Sequence, residues 1–247
     1  MEKPFSITIS NGQKVPTIQV DVPENLPQSM NDLGFDHPRP ILVILGGANN
    51  MSQTYMNQLQ SLFVKVLAPV VEELGASVVD GGTDSGVMQM IGQARAEISG
   101  KFSLIGVTPV GKVALPGQTP PEEVTPLEAN HSHFVLTPGD NWGDESPWLA
   151  DVATVLSQEL PSVAILINGG QVSKQDVFHN LRANRPILAV AGSGRLADTL
   201  VSALAGEVSD EGVRELVASG LVSSIDINDS LESLTELIKS YLCQQKP

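Results

Sequence analysis

Between residues 40 and 204, short apolar runs alternate with stretches of helical periodicity, and glycines cut most of the runs off. Pro40 to Leu45, Ser77 to Asp80, Phe102 to Val107, His131 to Leu136, Val163 to Ile167 and Pro186 to Val190 are too short and too uniformly apolar for amphipathic helices. They read as strands buried on both faces, the signature of a parallel sheet covered on each side. Between them apolar residues recur every three or four positions: Leu59 to Leu74, Val87 to Ile98, Trp148 to Leu156, Lys174 to Ala183 and Leu196 to Leu204. Pro69 inside the first of these stretches predicts a bend. The pattern predicts an α/β fold, Rossmann-like and doubly wound, with a mainly parallel sheet and helices on both faces.

The flanks add smaller features. Residues 5–22 alternate apolar and polar around Asn11-Gly12, a hairpin turn signal, and predict an appended N-terminal β-hairpin. Residues 23–39, rich in Pro, Asn and Asp, read as a linker, so that 1–39 precedes a domain over 40–247. After residue 205, Asp210 is placed to cap a short helix, Val222 to Ile227 reads as a last strand, and residues 231–241 as an amphipathic helix.

In doubly wound sheets ligands sit beyond the carboxyl ends of the strands. Four of the six main strands end there in glycine turns: Gly46-Gly47, Gly81-Gly82-Thr83-Asp84-Ser85-Gly86, Asn168-Gly169-Gly170 and Gly192-Ser193-Gly194-Arg195. Glycine lets the backbone approach a ligand, and the unpaired amides of a following helix favour an anion. Arg195, in the first helical turn, is placed to fork onto a phosphate, or else to pair with Asp198 at the surface. Gly192 to Ala197 also fits the GxGxxG/A dinucleotide pattern, with Asp226 only a loose match for its acidic partner; it reads as a phosphate turn.

Composition restricts the partners. With 14 Lys and Arg against 28 Asp and Glu the formal charge is −14, which repels nucleic acid and anionic membranes. No apolar run is long enough to span a bilayer, the first residues lack a signal-peptide core, and the one cysteine, Cys243, excludes an internal disulfide; the expected location is cytoplasmic. No metal site is expected. His131 and His133 alternate on one strand and are expected to share a face, but no third ligand is evident, so they read as hydrogen-bonded structural residues. Asp144 and Glu145 can hold a ribose or favour the dipole of the helix they precede. Asp84 reads as a turn residue or a ribose acceptor, Asn49 and Asn50 as turn residues or contacts to a base or ribose edge. Trp142 is available to stack on a base, whereas Trp148 fits helix packing. The long Pro- and Gly-rich loop over 110–130 is of the kind that carries function.

The motifs in order are Gly81-Gly82-Thr83-Asp84-Ser85-Gly86-Val87-Met88, Ile105-Gly106-Val107-Thr108-Pro109, Asn130-His131-Ser132-His133-Phe134, Asn168-Gly169-Gly170 and Gly192-Ser193-Gly194-Arg195-Leu196-Ala197-Asp198. Over roughly residues 40–205 they resemble the SLOG superfamily, in its prokaryotic LSDAT branch related to the N-terminal domain of TRPM channels. The resemblance implies binding or sensing of a nucleotide-derived small molecule such as ADP-ribose, with no further cofactor required. Taken with the glycine turns at the strand ends, it gives as candidate ligand contacts Gly46, Gly47, Gly81, Gly82, Thr83, Ser85, Gly86, Thr108, Gly169, Gly170, Ser173, Gly192, Ser193, Gly194 and Arg195. A homodimer is a further possibility, since dimers are common in the superfamily. The LONELY GUY phosphoribohydrolases, more distant relatives, carry Pro-Gly-Gly-x-Gly-Thr-x-x-Glu where this chain reads Asn168-Gly169-Gly170-Gln171-Val172-Ser173-Lys174-Gln175-Asp176. The departure weakens hydrolysis rather than binding, and leaves Asp176 as the catalytic candidate if the protein is a nucleotide N-glycosidase.

Overall fold

A computed structural model describes residues 3–47, 53–114, 124–207 and 210–243. Asn49 and Asn50, and residues 115–123 of the long loop, lie outside them.

The apolar runs form the parallel core of one sheet. In chain order the strands are β1 (Phe5–Thr8), β2 (Lys14–Gln19), β3 (Ile41–Gly46), β4 (Ser77–Asp80), β5 (Leu104–Pro109), β6 (His133–Thr137), β7 (Ser162–Ile167), β8 (Ile187–Ala191) and β9 (Val222–Asp226). Their spatial order is β1-β2-β6-β5-β4-β3-β7-β8-β9, and every pairing is parallel except β1 with β2. From β3 the chain steps outward to β6 and then returns to lay β7 on the other side of β3. The winding direction therefore reverses between β3 and β7, and a crevice opens at such a point.

The helices sort by face, as strand alternation requires. Ile41, Val43 and Leu45 of β3 point into a cluster with α1 (Leu26–Asp32), α5 (Ser146–Ser157), α6 (Gln171–Arg182), α7 (Arg195–Leu204) and α8 (Glu211–Ala218). Leu42 and Ile44 point the other way, into a cluster with α2 (Gln53–Leu62), α3 (Ala68–Leu74), α4 (Gly86–Glu97) and α9 (Leu231–Cys243). The chain thus has the Rossmann-like doubly wound architecture.

Three expectations change. The segment over 23–39 is not only a linker: it contains α1, whose Leu26 and Met30 are almost wholly buried. Burial of two such side chains contributes about 1.5–3 kcal/mol each, enough to order a turn-rich stretch with weak helical periodicity. Pro69 is accommodated without breaking the helix, because a π-helical turn over Phe63–Leu67 joins α2 to α3 just ahead of it. Proline cannot donate to the carbonyl four residues back, and the wider turn shifts the hydrogen-bond register there. Finally, β6 starts at His133, so His131 lies in the turn before it. The two rings do not share an environment: His131 stacks on Phe134 with centroids 5.4 Å apart, and His133 packs on Phe35 at 4.7 Å.

The hairpin adds to the sheet rather than standing apart. β2 runs parallel to β6, with Ile18 opposite Val135, and β1 forms the outer edge. Among the described residues no helix is long and apolar enough to cross a membrane.

Candidate functional site

At the carboxyl ends of β3 and β4, beside the start of α6, lies a cleft of about 270 Å³. Gly46 at the end of β3, Gly81, Thr83 and Ser85 of the turn after β4, and Ser173 and Asp176 of α6 line it. Met88, Leu149 and Val172 add apolar walls, and Thr125, Trp142 and Glu145 close the sides. Thr125 carries no signal in the sequence, since a threonine among prolines has no distinctive chemistry of its own.

The turn after β4 is shaped by close packing. Gly82 has φ +70°, and a Cβ there would lie 2.8 Å from the Cα of Gly106 and 3.1 Å from the Phe134 ring. Gly82 therefore faces the core, and Thr108, whose Oγ1 donates to the Gly81 carbonyl at 2.8 Å, braces the turn from beneath. Thr83 and Ser85 present a hydroxyl pair 3.2 Å apart at the cleft. Ser85 starts α4 without a side-chain capping bond, and Gly86 is the first residue of the helix. Asp84 is turned aside, accepting from Gln89 Nε2 at 2.9 Å.

The turns after β7 and β8 lock to each other through neutral groups. The Asn168 amide N–H donates to Ser193 Oγ at 2.8 Å, and Asn168 Nδ2 donates to the Ser193 carbonyl at 2.7 Å. Ser193 Oγ donates in turn to the Val190 carbonyl at 2.6 Å, so its hydroxyl is engaged within the fold. Gly169, which follows, donates to Asn168 Oδ1, and Gly47 donates to the Ile167 carbonyl. Asp198 does not pair with Arg195: its Oδ1 accepts from the Gly192 amide at 2.7 Å. Arg195, which follows Gly194, takes φ +53°, and its guanidinium reaches across Gly170, where a Cβ would meet Nη2 at 2.8 Å. Among the described residues no carboxylate forms an ion pair with it. Arg195 does not line the cleft but borders a shallow depression with Asp198 and Thr199. It adjoins the cleft through Gly170, whose amide donates to the cleft-lining Ser173 Oγ at 3.3 Å.

Two carboxyl groups face the same cleft. Burial first, and the neighbouring charge of Glu145 second, push Asp176 up to about 7, against a lowering hydrogen bond from Ser146 Oγ at 2.6 Å. Glu145 is also raised by burial, opposed by backbone hydrogen bonds including that from the Gly143 amide at 2.7 Å. Asp144 serves its own loop, accepting the amides of Asp140 and Asn141 at 3.0 Å each. The cleft thus has a polarity: carboxyl groups and hydroxyls line it, and a cation with no ion-pair partner among the described residues lies beyond the α6 edge. Trp142, 40% exposed, stands at its mouth. Among the described residues no group of three His, Cys, Asp or Glu is arranged to hold a metal.

Comparison with known proteins converges on one group. The family model described as SLOG in TRPM, prokaryote, matches residues 39–235. Mouse transient receptor potential cation channel subfamily M member 2 is 26% identical over 239 residues, covering 82% of this chain and 16% of the channel. The rat protein of the same name gives the same identity and coverage. Human subfamily M member 6 is 24% identical over 206 residues, covering 71% of this chain and 10% of the channel. The chain therefore spans about a sixth or less of the length of these channels.

Proposed function

The chain belongs to the SLOG family in its prokaryotic, TRPM-related form, and from that premise we propose that it binds a nucleotide-derived small molecule at the carboxyl ends of β3, β4 and β7. The observation that carries the reading is the arrangement of Arg195 over Gly170, at the first turn of α6 and next to the cleft. In a chain of formal charge −14, a guanidinium without a carboxylate partner beside helix-start amides favours an anion there. The size of the cleft divides the ligand. Small-molecule pockets run from about 300 Å³ upward, so about 270 Å³ holds a nucleoside-sized group and leaves the phosphates outside it, over Gly170 and Arg195. The acid pair and the hydroxyls then face sugar or base donors, and Trp142 is available to stack on the base. ADP-ribose and its relatives combine these parts.

Calorimetric titration with ADP-ribose, its cyclic forms, NAD and AMP tests the reading. Binding of at least one of them, weakened by Arg195→Ala, is expected. No heat from any of them at millimolar ligand overturns it.

One observation favours a second reading, that of a nucleotide N-glycosidase. Asp176 is buried in the cleft, is held by Ser146 and titrates near neutrality, as a proton-transfer group does. Incubation with AMP and detection of free adenine tests it; Asp176→Asn must then abolish release. Equal release by that variant removes the assigned role.

A further inference from the structure

Next to the Gly81–Ser85 turn lies a cluster of buried charges, none of which lines the cleft. His131 is fully buried, and its Nε2 is 2.8 Å from Asp80 Oδ1 while its Nδ1 is 2.8 Å from Glu128 Oε2. Both carboxylates are buried as well. Ionised carboxylates only accept hydrogen bonds, so a ring placed between two of them is held with a proton on each nitrogen. Asp80 belongs to the end of β4, and the same Oδ1 accepts the Gly82 amide at 2.8 Å. Its Oδ2 is buried with no hydrogen-bonding partner among the described residues. Glu128 belongs to the loop that supplies Thr125 to the cleft, and Asn130 fixes it through its amide and Nδ2 at 2.8 and 2.7 Å. Arg95 of α4 donates to the Asn130 carbonyl at 3.0 Å and lies close enough to Glu72 and Glu128 to feel their charges. Phe134 covers the ring.

The two segments that the cluster joins also meet directly. The Asp84 amide donates to the Pro126 carbonyl at 2.8 Å, the Glu128 amide donates to the Gly82 carbonyl at 3.0 Å, and Thr83 forms a bridge with Leu127. We propose that His131 is the positioning residue of the cleft: its two-sided hydrogen bonding holds the Gly81–Ser85 turn against the Thr125–Glu128 wall, and ligand binding requires that junction. The inference rests on the reading of the cleft as the ligand site. Thr83, Ser85 and Thr125 reach the cleft from the two sides of the junction, so releasing His131 separates groups that must act together. The ring of His131 lies directly between the two carboxyl groups. Burial lowers the charge affinity of that ring, but Asp80 and Glu128 outweigh it and hold the pKa at about 9.

The test combines ADP-ribose titration with hydrogen exchange on the full chain. In wild type the amides of Gly82, Asp84 and Glu128 are expected to be protected, and affinity to fall as pH rises through about 9. His131→Gln offers a donor to one carboxylate only. It is expected to lose protection at these three amides while β7 and β8 keep theirs, and to lose affinity on the order of 10-fold or more at pH 7, as loss of a supporting hydrogen bond does at other sites. If His131→Gln does not fold, Glu128→Gln serves instead; with one carboxylate gone, the step in affinity is expected at lower pH. Wild-type protection and wild-type affinity in His131→Gln, or an unmoved step in Glu128→Gln, overturn the positioning role. Wild-type protein that binds neither ADP-ribose nor AMP overturns the reading of the cleft, and the requirement for binding falls with it.

Discussion

The glycine turn after β4, which lines the cleft, and the glycine turn after β8, which lies beyond it, are built differently. The turn after β4 rests on buried charge, with Asp80, His131 and Glu128 linked at 2.8 Å. The turn after β8 rests chiefly on neutral contacts, the mutual bonds of Asn168 and Ser193, with the Asp198 carboxylate accepting the Gly192 amide, and its guanidinium lies over Gly170. A buried charge cluster holds its geometry closely but fails badly when a member is lost, because the remaining charges stay desolvated. A neutral network fails by smaller steps and does not respond to pH. The first turn therefore suits a fixed wall, and the second leaves a cation available at the surface.

Four measurements can break or sharpen that contrast. His131→Ala should show the largest effect: breaking a buried charge pair costs about 3–5 kcal/mol, read as a shift in the urea unfolding midpoint. The loss should also depend on pH. His131 is charged in the folded protein up to about pH 9 but in an unfolded chain only up to 6.5. Its contribution is thus complete below pH 6.5 and disappears as pH rises through 9, so wild type and variant should converge in alkali. A gap that stays constant to pH 10 would contradict the charged assignment.

Arg195→Ala comes next, and on affinity rather than stability. A charge-assisted bond is worth about 1.5–3 kcal/mol, roughly 10- to 100-fold in the dissociation constant for ADP-ribose. Stability should move by less than about 0.5 kcal/mol, since the guanidinium has no ion-pair partner among the described residues. A large loss of stability instead would mean that the second turn, too, depends on its charge. Ser193→Ala should cost about 1–3 kcal/mol, by leaving the Asn168 amide without its acceptor. The effect should be the same at pH 6 and pH 9, and a cost as large as that of His131→Ala would erase the difference between the turns.

Asp176→Asn lies outside both turns and should act with the opposite sign. The folded protein holds this carboxyl at about 7 against an ordinary 3.8. The protonated form is the one that folding favours, so the group's stabilisation is present below pH 3.8 and lost as pH rises through 7. An asparagine keeps an acceptor for Ser146 and carries no charge, so the variant should melt higher than wild type at pH 8 and alike near pH 4. A lower melting point at pH 8 would show that the ionised carboxylate is already well paired.

The elements were legible in the sequence, and the cleft only in part. Strands such as Ile41–Gly46 and helices such as Arg195–Leu204 follow from periodicity and glycine placement, which are local properties. So does the position of the glycine turns at strand ends. The helix over Leu26–Asp32 was hidden because its stability comes from burying Leu26 and Met30 under the sheet, not from its own short, proline-bearing sequence. The histidines were misplaced for a related reason: alternation at 131 and 133 continues past the end of the strand, and only the pull of Asp80 and Glu128 shows where His131 leaves it.

What the chain's order of residues decided by itself is therefore the doubly wound sheet, and with it the end of the sheet at which a ligand can sit. What only the tertiary structure decided is which side chains face that space. Asp80 and His131 are 51 positions apart, and Ser146 and Asp176 are 30 apart. No local pattern links such pairs, because hydrogen bonds act over about 3 Å of space whatever the separation along the chain. Arg195 is the intermediate case: its place after Gly192-Ser193-Gly194 marked it as a ligand contact, and only the fold shows that its guanidinium crosses Gly170.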